Sequence, residues 1–210
     1  RLRLVPLGAT PATVGDDDRH RDRRDHRIGG RYLIWVGTAE PRKNLPTLID
    51  AYRMAEVDDL DLLLVGPDGW NLDLDSLFGP ADQGIRNLGF VSAEDLPVLL
   101  DGAEALMFPS RREGFGLPAI EAMAQGTPVV GAAATAVAEI VGATGTLLDH
   151  RRVDDWVDTI RDIADSSDWK AKRSDAVRRR AAEFTWERTA RLTIDAYRDA
   201  VDPTRVPRRR

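Results

Sequence analysis

The chain has 210 residues, 42% of them hydrophobic and 31% charged, and a formal net charge of -5. That length holds one sizeable core and makes two ordinary domains a tight fit; no segment approaches the roughly 20 apolar residues of a membrane-spanning helix, and an acidic balance speaks against a general nucleic-acid binder. There is no cysteine, which excludes disulfides, thiolate metal sites and thiol nucleophiles. The sequence starts at Arg1 without an apolar leader and reads as a piece of something longer.

Residues 2–7 are a short apolar stretch ended by Gly8, and residues 16–27 are almost entirely Asp, Arg and His. This run reads as a solvated, charge-balanced loop. A metal site there is disfavoured, because ligands without a scaffold lose ordering entropy on binding. From Arg31 short β-rich runs alternate with helical patterns, the signature of βα units and a parallel sheet. Residues 32–36 form the first strand, and Leu45, Leu48, Ile49, Tyr52 and Met54 follow at helical spacing. Residues 62–65 are the second strand, broken by Gly66-Pro67-Asp68-Gly69. Residues 85–88 are the third, before a helix that Ser92 caps with Asp95 three residues on and Leu96, Leu99 and Leu100 on its apolar face. Strands at 105–108, 128–130 and 145–148 and a short helix at 117–125 complete the alternation. Helices alone follow, over 153–164, 168–183 and 186–201. Most strands are apolar throughout, which suits a sheet covered on both faces. The fold class is α/β, a doubly wound parallel sheet of Rossmann type.

In such a sheet ligands bind outside the carboxyl ends of the strands. Two loops there stand out. Gly37-Thr38-Ala39-Glu40-Pro41-Arg42-Lys43-Asn44 brings two cations to the mouth of the sheet, where Arg grips phosphate oxygens as a fork and Lys offers a compact charge. The competing reading is a solvated loop whose Asn44 caps the next helix and whose charges face water. The second loop is Pro109-Ser110-Arg111-Arg112-Glu113-Gly114-Phe115-Gly116-Leu117-Pro118. Its glycines let backbone approach a ligand closely, Pro118 fits a first helical turn, and the free N–H groups of that turn form an anion site suited to a diphosphate. Glu113 and Glu121, with seven residues between them, reach one cleft in this reading. Ser110 and Glu113 also fit a capping-box spacing, but a helix from Ser110 would run through two glycines. The G-x-G-x-x-A pattern from Gly114 is a weak dinucleotide signal, and no acid follows it at the next strand end.

The span Glu113 to Glu121 resembles the glutamate, seven residues, glutamate signature of retaining GT-B glycosyltransferases, in particular the group 1 type with its many bacterial mannosyltransferases. Tyr32-Leu33-Ile34-Trp35-Val36-Gly37, Glu40-Pro41-Arg42-Lys43-Asn44, Leu64-Val65-Gly66-Pro67, Phe108-Pro109-Ser110 and Glu121-Ala122-Met123-Ala124-Gln125-Gly126-Thr127-Pro128-Val129-Val130 resemble the same family in its order, over most of the chain. The resemblance implies the C-terminal half of a GT-B fold. Residues 1–28 are then linker and charged loop, 29–184 a nucleotide-sugar-binding domain, 185–202 a C-terminal helix and 203–210 a basic tail.

By the same resemblance Glu121 accepts hydrogen bonds from the donor ribose, and Glu113 lies beside the transferred sugar. Arg42 and Lys43, beside Gly37, neutralise the diphosphate, the backbone N–H groups of Gly116 and Leu117 hold its oxygens, and Gly114 and Phe115 belong to the same binding loop. The loop of Gly89, Phe90 and Val91 contacts the base. The implied reaction moves a hexose, mannose from GDP-mannose in the first instance, to a glycan or lipid-linked acceptor with retention and without metal or cofactor. The acceptor site belongs to an N-terminal domain that this stretch lacks, so the stretch alone is expected to be inactive. Thr38 stands where several relatives carry arginine, and Arg111 and Arg112 replace a frequent apolar pair and offer further phosphate contacts. Alternatives are a nucleotide-sugar epimerase, a polysaccharide synthase, a non-catalytic nucleotide-binding module, and a glycoside hydrolase using Glu113 and Glu121. The expected location is cytoplasmic, with the basic tail a weak contact for the inner face of a membrane.

Overall fold

The computed structural model describes residues 3–70, 77–79 and 82–201; the basic tail lies outside them. Among the described residues six strands form one sheet: β1 (Arg31–Val36), β2 (Leu60–Val65), β3 (Ile85–Gly89), β4 (Ala105–Phe108), β5 (Val129–Ala132) and β6 (Thr146–Leu148). All neighbours pair parallel, in the order β3-β2-β1-β4-β5-β6. The chain builds outward from β1 on one side, then returns to build outward on the other. The switch point is between β1 and β4, where crevices form in doubly wound sheets.

Strand alternation divides the core between two faces. Leu33 and Trp35 pack with α2 (Leu45–Ala55) and α6 (Val153–Asp165), whereas Tyr32, Ile34 and Val36 face α3 (Asp95–Gly102), α4 (Leu117–Ala124), α5 (Ala136–Val141) and α7 (Ala171–Ala181). Both sides of β1 are therefore apolar. Helix α3 has the expected start: the Asp95 N–H donates to Ser92 Oγ at 3.0 Å, and that hydroxyl donates to the Asp95 carboxylate. Helix α8 (Trp186–Val201) buries none of its residues, and Trp186, Ile194, Tyr197 and Val201 are exposed. No helix among the described residues is long and apolar enough to cross a membrane.

The charged run departs from its loop reading. Residues Asp16–Asp25 form helix α1, which packs on α3. Three aspartates in the first turn and two arginines in the last complement the helix dipole. The same mixture of signs pairs Arg19 with Asp16 and Arg21 with Asp18 along the helix. Arg19 Nε also reaches Asp101 on α3 at 2.7 Å, and Asp22 is turned inward, only 3% exposed. Burial pushes its carboxyl up to about 6, with His26, 3.5 Å away at the C-cap of the helix, as a partial offset.

Candidate functional site

Three glycines level the floor of the crevice. Gly37, Gly66 and Gly89 follow or end β1, β2 and β3; the Gly37 N–H donates to the Val65 carbonyl and the Gly66 N–H to the Gly89 carbonyl. Gly66 has φ +136, and a Cβ there would stand 1.9 Å from the Gly37 carbonyl oxygen. Only glycine lets the two strand ends lie this close.

Above this floor Pro41–Lys43 forms a single 3₁₀ turn that aims the cations across the switch point. Lys43 is 6% exposed, so its charge does not face water. Its Nζ donates to Oε1 of Glu113 at 2.8 Å and lies 5.0 Å from the Phe108 ring centroid. Arg42 is half-exposed, with Nε 2.7 Å from Oε2 of Glu40 and Nη1 3.5 Å from Oε2 of Glu113. Two cations and two carboxylates thus balance at the carboxyl ends of β1 and β4.

Asn44 holds this arrangement. It adopts the left-handed region, φ 56 and ψ 33, which asparagine tolerates better than most residues, and is 1% exposed. It stands at the start of α2 but makes no side-chain cap. Its Oδ1 accepts from Arg111 Nε at 2.9 Å and from Thr47 Oγ1 at 3.0 Å, while Nδ2 donates to the His150 carbonyl at 3.2 Å. The Arg111 N–H also donates to the Arg42 carbonyl. One buried amide therefore joins the loops after β1, β4 and β6. Arg111, expected to offer a phosphate contact, is engaged here, and Arg112 is exposed.

Helix α4 starts at Leu117, with Pro118 in its first turn and Gly116 before it at φ +102. The Ala119 N–H bonds the Gly116 carbonyl; no acceptor for the Leu117 N–H is found among the described residues. The helix therefore presents a donor and the positive end of its dipole outward. Gly114 has open space around it, while the ring of Phe115 packs edge-on to Phe184, centroids 6.4 Å apart. Val91 packs against the core and Phe90 is 80% exposed.

Glu121 lies one turn into α4. It faces a hollow of about 310 Å³ lined also by Thr10, Ala93, Leu96 and Trp186, and burial raises its carboxyl above the ordinary value. Glu113 is not among the residues of that hollow. Glu113 lies against the cations, and Glu121 lines a hollow beside the loop after β3.

Residues 16–183 match the family profile described as Glycosyl transferases group 1. The chain belongs to the group 1 glycosyl transferases. O-antigen chain mannosyltransferase B of Escherichia coli is 36% identical over 175 residues, which cover 80% of this chain and 45% of that protein. D-inositol 3-phosphate glycosyltransferase of Paenarthrobacter aurescens (strain TC1) is 37% identical over 223 residues, 100% of this chain and 54% of that one. Sucrose-phosphate synthase from Thermosynechococcus elongatus has a TM-score of 0.77 at 27% identity, covering 94% of this chain and 52% of the other. The chain spans about half the length of the relatives it matches. Its Rossmann-like sheet is that of GT-B enzymes.

In this group 1 glycosyl transferase sequence reasoning passed over two polar groups. Asn44 was legible as a residue before a helix start but not as a joint between three loops. Ser110, fully buried at the end of β4, has a hydroxyl without a partner among the described residues; only its place in the loop hinted at it.

Proposed function

We propose that this chain is the donor-binding half of a retaining glycosyltransferase that moves a hexose, mannose from GDP-mannose, to a glycan or lipid-linked acceptor. The observation that carries the reading is the Arg42–Lys43 pair, held at the switch point beside the open first turn of α4. Fixed cations and N–H donors there oppose the charge that grows on a departing diphosphate. In the reaction the bond from the anomeric carbon to the diphosphate oxygen breaks. A bond from the same carbon to the acceptor oxygen forms on the same face, and the acceptor proton passes to the departing phosphate. Arg42 and Lys43 bind the diphosphate, Glu113 stands beside the sugar and Glu121 accepts from the ribose. No metal is required in this reading. The mannosyltransferase and inositol phosphate glycosyltransferase relatives support a sugar donor, and the former supports mannose.

The test is calorimetric titration of the chain with GDP, UDP, GDP-mannose and guanosine, before and after Arg42→Ala with Lys43→Ala. The double variant should lose roughly 10- to 100-fold affinity for GDP, the loss of one or two charge-assisted bonds, with little change for guanosine. Added chelator should leave GDP binding unchanged. Equal losses for GDP and guanosine, or binding abolished by chelator, overturn the assignment. Tighter binding of UDP than GDP removes the GDP-mannose part alone.

A further inference from the structure

A second cavity, of about 590 Å³, lies at the other end of α4, under the extended segment 9–14. This volume is in the range of small-molecule pockets. Val14, Ala181 and Phe184 supply apolar wall, and Ala124 and Gln125 close the end nearest α4. The segment lies against Gln125, whose amide, with its nitrogen turned to the Ala12 carbonyl, donates to that oxygen at 3.1 Å and accepts from the Ala12 N–H at 2.7 Å. The cavity thus has a roof held by side-chain hydrogen bonds.

Three charged side chains line it: Arg19, Asp101 and Arg178. Arg19 is shared between Asp101, Nε to Oδ2 at 2.7 Å, and Asp16, Nη1 to Oδ1 at 2.7 Å. Arg178 donates from Nη2 to the Gln125 carbonyl at 2.9 Å and has no carboxylate partner among the described residues. A solvent-exposed guanidinium, held at the C-terminal end of α4 and without a carboxylate partner among the described residues, therefore sits beside a mostly apolar hollow. Guanidinium binds carboxylate and phosphate oxygens as a fork, and a hollow of this kind holds a hydrocarbon body beneath such a head.

We propose that this cavity binds a small single-chain amphiphile with one anionic head, a carboxylate or a phosphate monoester. The head lies on Arg178 and the apolar body runs over Val14, Ala181 and Phe184. The cavity adjoins the hollow of Glu121, since Ala9 and Gln125 line both, but the proposal does not rest on the donor reading.

The test is calorimetry of the chain with octyl phosphate, sodium octanoate and 1-octanol, each below its aggregation limit. Both anions should bind at least ~10-fold more tightly than octanol, as expected for hydrogen bonds to a charged group. Arg178→Gln should remove that advantage and leave octanol unchanged. Ala182→Trp, at an exposed position on the cavity rim, should abolish binding of all three with an unaltered melting temperature. Octanol binding as tightly as the anions overturns the proposal, as does an Ala182→Trp chain that binds like the parent. Competition by phosphatidylglycerol vesicles, too large to enter, would place the amphiphile on the surface and also overturn it.

Discussion

Replacing Glu113 by Gln should weaken the fold and strengthen nucleotide diphosphate binding at once. The Lys43 and Glu113 side chains are 8% and 6% exposed and 2.8 Å apart. Breaking a buried pair on one side costs about 3–5 kcal/mol because it strands a charge. Here Lys43 keeps the face of Phe108 and Arg42 keeps Glu40, so a loss of ~2–3 kcal/mol is expected. Binding moves the other way. Glu113 is a fixed negative charge beside the proposed diphosphate position; at roughly 8 Å and an effective dielectric of ~20 it opposes a phosphate charge by ~2 kcal/mol, or ~30-fold in affinity. The Glu113→Gln chain should therefore show a lower urea midpoint, a GDP affinity raised by ~10- to 30-fold, and a larger stabilisation by GDP than the parent. GDP-mannose should gain less, since the contact of Glu113 with the sugar is lost with its charge. A folded Glu113→Gln chain whose GDP affinity is unchanged or lower would refute the reasoning, because the cations would then not face the phosphates.

Glu121→Gln should weaken GDP by ~10-fold at pH 7.5, the loss of charge-assisted acceptance from the ribose. Because burial raises the Glu121 carboxyl, parent affinity should fall as pH is lowered through that raised value, more steeply than in Glu121→Gln; parallel profiles by calorimetry count against the ribose role. Asp22 titrates near 6 in the fold against 3.8 as an ordinary aspartate, so its contribution to stability is full below about 4 and is lost as pH rises through 6. Asp22→Asn should thus match the parent near pH 4 and exceed it by up to about 3 kcal/mol at pH 8. Urea melts at the two pH values check this, and an equal difference at both would show that the buried carboxyl is not the cause.

Much of the sheet was legible because β1, β2 and β4 are apolar on both faces, and each ends in a glycine or proline that stops it. The start of α3 was legible for a local reason as well, Ser92 and Asp95 being three residues apart. What was not legible depends on partners distant in sequence. The run at 16–27 contains no apolar stripe, so periodicity gave no helix; the helix is held by aspartates at its start, by Arg19 reaching Asp101 and by burial of Asp22 against α3. Helix α5 is six residues long, below the span over which a helical period can be counted. At the site the residue types were readable and their pairing was not. Nothing in Glu40-Pro41-Arg42-Lys43 says that Lys43 is buried against a glutamate seventy positions on.

The balance of charge at the switch point bears on how a donor is taken in. A buried ammonium without a counterion is costly, so Lys43 needs an anion within the fold. Glu113 and Glu40 supply it, and Asn44 fixes the geometry by joining the loops that carry Arg42, Arg111 and His150. In the proposed reaction a diphosphate arriving here exchanges one anion for another. Its net gain is then smaller than two ion pairs suggest, while Glu113 is freed to meet the sugar next to the breaking bond. On the proposed reaction donor affinity is then moderate, and the preorganised cations act most strongly on the charge that appears as the sugar leaves.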